Sequence, residues 1–240
     1  MGISVKIIAS LVLYRHSRND IQNTLNSLLE EECIDKICIV DNGAYCQWLN
    51  DFNHIKIDVI KLERNIGFGA GHNAAFERCS KLYEYDFMLV CNPDIYFNRG
   101  EVDKLYSFSL EHELGLSIPK IIYPDGRLQY SCKLLPRPKQ LLLRRFFPSI
   151  SQQINFQYEL RQADYEKSFF APSLSGCFML LSKDAVEITS GFDKQFFMYL
   201  EDVDLSRRIC IESLKVSYCP WSTVVHESQR RSYKNIKFLY

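Results

Sequence analysis

The sequence carries no excess of charge of either sign: 29 Lys and Arg offset 29 Asp and Glu over 240 residues. That excludes bulk electrostatic binding to nucleic acid, which needs many cations facing phosphates. No apolar run approaches the roughly 18 residues of a membrane-spanning helix. The nine cysteines contain no Cys-x-x-Cys pair, which argues against a zinc site or a disulfide framework. Cys38 and Cys91 lie inside apolar, strand-like runs, so the thiols are expected to be buried and reduced, as in a reducing compartment. The apolar run at residues 5–14 has no basic segment before it and no small-x-small cleavage site after it. It therefore reads as a buried first strand and not as a signal peptide. Position 6 holds Lys, where N-myristoylation needs Ser or Thr. No internal repeat, low-complexity tract or linker divides the chain, so residues 1–240 are read as a single domain.

What the sequence does have is apolar substance, at 47 % hydrophobic residues with 16 Phe and 14 Tyr. That is ample for a core and excludes a disordered chain. The first half alternates strand and helix patterns. Strands are predicted at 5–13, 37–40, 57–62 and 87–91, and helices at 21–29, 67–79 and 100–112. This rhythm predicts an α/β fold with a mostly parallel sheet covered on both faces. The second half is less regular. It offers strand pattern around the Pro124-Asp125-Gly126 turn, a strand over 174–181, a short helix at 182–187 and a strand-like Thr223-Val224-Val225. Polar groups cluster where strands end, at Tyr14-Arg15, Asp41-Asn42, 65–73 and 92–94. In open α/β sheets that rim is where ligands bind.

Four constellations carry chemistry. Asn65-Ile66-Gly67-Phe68-Gly69-Ala70-Gly71-His72-Asn73 spaces its glycines so that backbone can approach a bulky ligand at a helix start. It is neither the G-x-G-x-x-G dinucleotide fingerprint nor a P-loop, and a tight strand-to-helix turn is the secondary reading. Asn92-Pro93-Asp94 ends an apolar strand; its carboxylate suits a hard cation or a simple Asx turn. Gly191-Phe192-Asp193, Phe196-Phe197-Met198-Tyr199 and Glu201-Asp202-Val203-Asp204-Leu205-Ser206-Arg207-Arg208 set three carboxylates beside an aromatic run. An Asp204–Arg208 pair at i,i+4 accounts for part of that charge. Asp202, following so apolar a stretch, reads as a general base. His226 follows a strand and suits a metal, a phosphate or a purely structural role.

In this order the motifs resemble the inverting family 2 glycosyltransferases of the GT-A fold, and among them the bacterial rhamnosyltransferases of O-antigen and surface-polysaccharide synthesis. The likeness runs from about Lys6 to about Tyr233. It rests on Leu13-Tyr14-Arg15, Val40-Asp41-Asn42-Gly43, the 65–73 loop, Asn92-Pro93-Asp94, Ser175-Gly176-Cys177-Phe178-Met179, the 191–208 block and His226. The resemblance implies a nucleotide-binding half over about 1–115 and an acceptor-binding, catalytic half over about 116–240. Tyr14 and Arg15 would border the nucleotide, and Asp41 would bond its base. Asn65, Gly67, Gly71, Asn73 and Asn92 would shape the nucleotide–sugar pocket. Asp94 would bind a divalent cation, Mg²⁺ or Mn²⁺, with His226 as a further contact. Ser175, Gly176, Cys177 and Glu201 would line the acceptor side, and Asp202 would be the catalytic base.

Asn92 departs from the family's usual D-x-D, which removes one formal charge from the metal site. The implied donor is a nucleotide diphosphate sugar, with dTDP-L-rhamnose favoured and a UDP-hexose as the alternative. The implied acceptor is a glycan on a polyprenyl diphosphate. The place would be the cytoplasm, at the inner face of the membrane, where the basic amphipathic segments at 133–150 and 230–237 suit peripheral contact. Members of the family commonly continue into C-terminal helices. Two other readings stay open. A sugar nucleotidyltransferase would carry a glycine-rich basic loop after the first strand, where this chain has Tyr14-Arg15-His16-Ser17. A catalytically silent nucleotide-sugar binder is favoured by Asn92 and opposed by the intact Glu201-Asp202 pair.

Overall fold

The computed structural model describes residues 3–136 and 148–227. In chain order the elements are β1 (Ile3–Leu13), α1 (Gln22–Glu30), β2 (Ile34–Asn42), β3 (Ile57–Leu62), α2 (Phe68–Leu82), β4 (Tyr83–Cys91), β5 (Ile95–Tyr96), α3 (Glu101–Glu111), β6 (Leu114–Ile122) and β7 (Cys132–Lys133). Then come α4 (Pro148–Tyr158), β8 (Ser173–Leu174), β9 (Phe178–Ser182), α5 (Lys183–Thr189), α6 (Glu201–Ile211) and β10 (Lys215–His226). One eight-stranded sheet runs β3-β2-β1-β4-β9-β6-β10-β5, and β7 pairs with β8 in a separate ribbon.

The sheet follows from the sequence's two periods. Ile7, Ala9, Leu11 and Leu13 of β1 pack in one core, with residues of α1 and α3. Ile8 points into the other core, with Ala75 and Phe76 of α2 and Leu205 of α6. Alternate residues on a strand face opposite sides, and helices on both faces leave a strand apolar throughout. The nine cysteines are free, and all but Cys210 are buried. No helix among the described residues is long and apolar enough to cross a membrane.

β3, β2, β1 and β4 are all parallel, as the alternating first half predicts. β9 runs antiparallel to both β4 and β6, and β6 and β10 are parallel again. The continuous strand expected over 174–181 is in fact two. β8 joins the small ribbon and β9 the main sheet, broken at Ser175-Gly176-Cys177. The break has local causes. Ser175 N–H donates to the Ser131 carbonyl at 2.9 Å, and Gly176 N–H donates to the Asp202 carboxylate at 2.9 Å. Because β9 is reversed, its start lies at the rim where β1, β2 and β4 end. That reversal brings 175–177 to the same edge as the glycine loop. Residues 137–147 and 228–240, and with them most of both basic segments, lie outside the described residues.

Candidate functional site

The rim is organised by one asparagine. Asn42, buried at the end of β2, donates through Nδ2 to Asn65 Oδ1 at 2.9 Å and to the Gly67 carbonyl at 3.0 Å, and its Oδ1 accepts from Ile66 N–H at 2.9 Å. Asn65 Oδ1 also accepts from Gly67 N–H. The loop before α2 is therefore held from beneath. In the sequence Asn42 stands in the polar rim cluster and in the Val40-Asp41-Asn42-Gly43 motif, with no sign that it holds the 65–67 loop. Gly67 has φ +97°, and a Cβ there would lie 2.4 Å from the Phe197 carbonyl oxygen. A Cβ at Gly71 would lie 2.9 Å from Val12. These glycines are thus required by close packing of the loop against β1 and the 191–200 segment.

Asn73 joins the two halves. Its Nδ2 donates to the Phe192 carbonyl at 2.7 Å while its Oδ1 accepts from Phe192 N–H at 2.9 Å. His72, beside it, is fully buried. Its Nδ1 meets Ser10 Oγ at 2.7 Å, and its Nε2 has no partner. Burial pushes its pKa down to about 3, so it is neutral at physiological pH. Its ring packs edge-on against Phe68, at 4.6 Å between centroids.

Beyond the end of β1, Arg15 lies over the rings of Tyr14 and Tyr45, 5.2 and 4.6 Å from their centroids. That cluster offers aromatic faces and a cation together. Asp41 is buried, and its two oxygens accept from Tyr45 N–H at 3.0 Å and Cys46 N–H at 2.9 Å. Its first task is therefore to hold the loop that carries Tyr45.

Asp94 and His226 meet at the end of β10. His226 Nε2 is 3.2 Å from Asp94 Oδ1, and Nδ1 is 3.0 Å from Gln129 Oε1. With both ring nitrogens protonated, Nδ1–H donates to Gln129 and Nε2–H to Asp94, so a cation at this point would take the place of the Nε2 proton. Burial works against protonating His226, but the Asp94 carboxylate and the Cys177 thiol outweigh it and push its pKa up to about 10. Asn92 Oδ1 is buried without a partner. A carboxylate, an amide oxygen and an imidazole suit Mg²⁺ or Mn²⁺. Among the described residues no three His, Cys, Asp or Glu converge on one point, so a cation here would need further oxygen ligands from elsewhere. Gln129 carries no sequence signal as a partner of His226.

Of the residues expected on the acceptor side, Ser175, Gly176 and Glu201 gather at the N-terminus of α6, while Cys177 faces His226. Tyr199 and Leu200 both have positive φ, 73° and 69°, which for L-residues costs about 1–2 kcal/mol each. That sharp turn sets Glu201 and Asp202 as the first residues of the helix. Asp202 is fixed twice: Oδ2 accepts from Gly176 N–H at 2.9 Å, and Oδ1 accepts from Val203 N–H at 2.8 Å. Glu201 is 7 % exposed, and its Oε2 has no partner. Burial, reinforced by Asp202, pushes its pKa up to about 7. Both acids line a cavity of about 190 Å³ with Lys133, Tyr158, Ser173, Ser175, Tyr199, Leu200 and Val203. Lys133, Tyr158 and Tyr199 were not singled out from the sequence as site residues, since they converge only in the fold. Phe197, Met198, Tyr199 and Leu200 are exposed. Further along α6, Arg208 bonds Asp204 at 2.7 Å, as expected from i,i+4 spacing, and also holds the Thr189 and Gly191 carbonyls.

Comparison with known proteins agrees with this architecture. Residues 11–187 match the family described as "Glycosyl transferase family 2". The match stops short of Asp202 and His226, so their roles rest on geometry. The chain is 20 % identical over 221 residues to the low-salt glycan biosynthesis hexosyltransferase Agl10 of Haloferax volcanii, covering 91 % of this chain and 66 % of that protein. It is 26 % identical over 174 residues to the N-acetylglucosaminyl-diphospho-decaprenol L-rhamnosyltransferase of Mycobacterium tuberculosis, covering 68 % of this chain and 56 % of that one. It is 23 % identical over 228 residues to the rhamnosyltransferase WbbL of Escherichia coli, covering 90 % and 82 %. The first two of these relatives thus extend well beyond the matched region. Among solved structures, GalNAc-T7 with UDP, GalNAc and Mn²⁺ superposes with TM-score 0.68 at 12 % identity, covering 93 % of this chain and 44 % of that chain. S. aureus TarS 1-349 in complex with UDP-GlcNAc superposes with TM-score 0.65 at 17 % identity, covering 94 % and 61 %. The central sheet with its flanking helices is the GT-A arrangement expected from the sequence.

Proposed function

Because this chain belongs to glycosyl transferase family 2, we propose that it moves a sugar from a nucleotide diphosphate onto a glycan hydroxyl by a single inverting displacement. One observation carries the reading. Asp202, held by Gly176 N–H, sits beside a cavity on the acceptor side, at the same sheet edge as the Asp94–His226 pair. Asp202 takes the proton from the attacking hydroxyl. A carboxylate fixed by two backbone donors needs no reorientation as it does so. The strands of about 1–115 hold the nucleotide, with Tyr14, Arg15 and Tyr45 around the base and Asp41 fixing their loop. Residues 116–240 bind the acceptor and carry the base.

Asp94, His226 and Asn92 would hold Mg²⁺ or Mn²⁺ together with the donor's diphosphate oxygens. Bound there, such a cation would supply positive charge to offset the negative charge on the departing diphosphate. The donor is read as dTDP-L-rhamnose, its sugar supported by the mycobacterial and E. coli relatives, both rhamnosyltransferases. A UDP-hexose is the second reading, supported by the fold shared with UDP-GlcNAc-bound TarS.

The acceptor is read as a glycan on a polyprenyl diphosphate, by analogy with the mycobacterial relative's diphospho-decaprenol. The exposed Leu134, Leu135 and 197–200 side chains near the cavity suit a lipid-linked substrate, and Lys133 in its wall suits a phosphate. Work on such an acceptor would place the protein in the cytoplasm at the inner membrane face. The test is a thermal-shift panel of dTDP, UDP, GDP and ADP, each with and without Mn²⁺. A ligand that binds only the folded chain raises its midpoint by mass action. A Mn²⁺-dependent shift largest with dTDP is expected. A larger shift with UDP moves the donor to a UDP-hexose. No shift with any nucleotide overturns the reading.

A further inference from the structure

Phe68 belongs to the glycine loop but touches both segments that place Asp202. It is the first residue of α2, directly after Gly67. Its N–H donates to the Phe197 carbonyl at 3.0 Å, and Phe197 lies in the segment that leads to Leu200, the N-cap of α6. Its ring reaches the other segment. A Cβ at Gly176 would lie 3.5 Å from Phe68 Cε1 and 3.1 Å from Asp202 Cβ. The Phe68 ring and the Asp202 side chain thus meet over the bare face of Gly176, whose N–H donates to Asp202 Oδ2 at 2.9 Å. The ring is itself fixed from behind. It packs edge-on against His72, 4.6 Å between centroids, and against Phe192 at 6.0 Å. His72 is fully buried and tied to Ser10 of β1, and the Phe192 backbone is tied twice to Asn73. Close packing of this kind holds a ring in one place.

We propose that Phe68 is a positioning residue for Asp202: it transmits the place of the glycine loop to the carboxylate, through Phe197 on one side and Gly176 on the other. The inference rests on the transfer reading for the task of Asp202, and it adds a residue outside the set implied by the resemblance. The physical reason is orientation. Asp202 Oδ1 accepts from Val203 N–H within its own helix, so that bond turns with the helix. The Gly176 bond ties the carboxylate to a different segment, the break between β8 and β9. Glycine keeps more backbone freedom than any other residue, and Gly176 has no side chain to anchor it. The Phe68 ring over its open face supplies that anchor. A misplacement of about 1 Å at a reacting group can cost about a hundredfold in rate.

The experiment compares the wild-type chain with Phe68→Ala, Phe68→Leu, Asp202→Asn and the double variant Phe68→Ala/Asp202→Asn. Amide hydrogen exchange is read at Gly176 and across β1 and β4. Nucleotide affinity is read by calorimetry with dTDP and UDP in the presence of Mn²⁺. Transfer is read with dTDP-L-rhamnose and UDP-N-acetylglucosamine as donors and p-nitrophenyl N-acetylglucosaminide as acceptor. Phe68→Ala is expected to speed exchange of the Gly176 amide about tenfold more than exchange in β1 and β4. Its kcat should fall about 10- to 100-fold, with nucleotide affinity and acceptor KM within about twofold of wild type. Phe68→Leu refills most of the space and should recover most of both losses. In the Asp202→Asn background Phe68→Ala should cost no further turnover, because its effect passes through the carboxylate. Gly176 exchange that rises no more than that of the sheet, a near-normal kcat in Phe68→Ala, or a loss that persists in full beside Asp202→Asn would overturn the proposal. Selective Gly176 exchange with no sugar released from either donor by the wild-type chain would instead overturn the transfer reading and leave the positioning of the carboxylate standing.

Discussion

Two buried glutamates show how this molecule separates support from chemistry. Glu31, after α1, is 1 % exposed, and its Oε1 accepts from Gly100 N–H at 2.8 Å and Val102 N–H at 3.1 Å. It caps α3, whose own first residues provide no side-chain cap. Glu201 is 7 % exposed and its Oε2 has no partner. Burial raises the pKa of both; backbone donors of α3 oppose the rise at Glu31, and only the residue's own backbone does so at Glu201, where the Asp202 charge adds to the rise. Asp41 and Asp202 each have both oxygens held by backbone N–H groups, but Asp41 is buried beneath a loop whereas Asp202 lines a cavity. An acid enclosed by its own fold stabilises it. An acid buried without a partner is free to serve a ligand.

The contrast can be tested from both sides. The largest effect is expected at Asp202. Asp202→Asn keeps the side chain's shape, so folding and nucleotide binding should persist while transfer falls by about 10²–10⁴, the usual share of a general base. Nucleotide binding by calorimetry and product formation by chromatography check the two halves of that statement, and near-normal turnover would remove Asp202 from the role. Next comes Glu31→Ala. It leaves two buried backbone N–H groups without acceptors and should cost about 2–4 kcal/mol of stability. Chemical denaturation measures it, and transfer per folded molecule should not change.

Smaller effects come from pH. Glu201 binds a proton more tightly in the folded chain than in the unfolded one. Stability is therefore expected to fall as pH rises from about 4.5 through about 7, by at most about 1.4 kcal/mol per pH unit. Glu201→Gln should flatten that decline. His72 acts at lower pH. Its folded-state pKa is depressed from 6.5 to about 3, so the unfolded chain binds the extra proton and stability drops as pH falls below about 6.5. His72→Gln should remove that acid-side slope. Denaturation midpoints across the pH range, in both variants, would show whether the two slopes separate as expected.

The sheet and its helices were readable in large part because their signals are local. The apolar runs at 5–13 and 57–62 became β1 and β3 with little change of boundary, and the run at 87–91 is the second half of the longer β4. The motif-bearing turns reached one rim because parallel strands end on the same side. The run at 174–181 misled, since nothing within it announces that Ser131 and Asp202 draw residues 175–176 out of line. The roles of the glycine-loop residues were also only partly visible. Asn73 and Gly71 also have internal contacts that no local signal announces, with Phe192 and against Val12. Asn42 stands in a rim motif, but nothing in the sequence marks it as the residue that holds the loop.

The sequence by itself determined the α/β class, the order of the rim motifs and the family, because periodicity, turn chemistry and motif spacing are properties of neighbouring residues. Only the tertiary structure decided which acid supports and which is left for chemistry. Glu31 finds its donors 69 and 71 residues away, Asp202 finds Gly176 across 26, and His226 finds Gln129 across 97. A hydrogen bond forms through space, and a carboxyl's environment is set by whichever segments the folded sheet brings beside it.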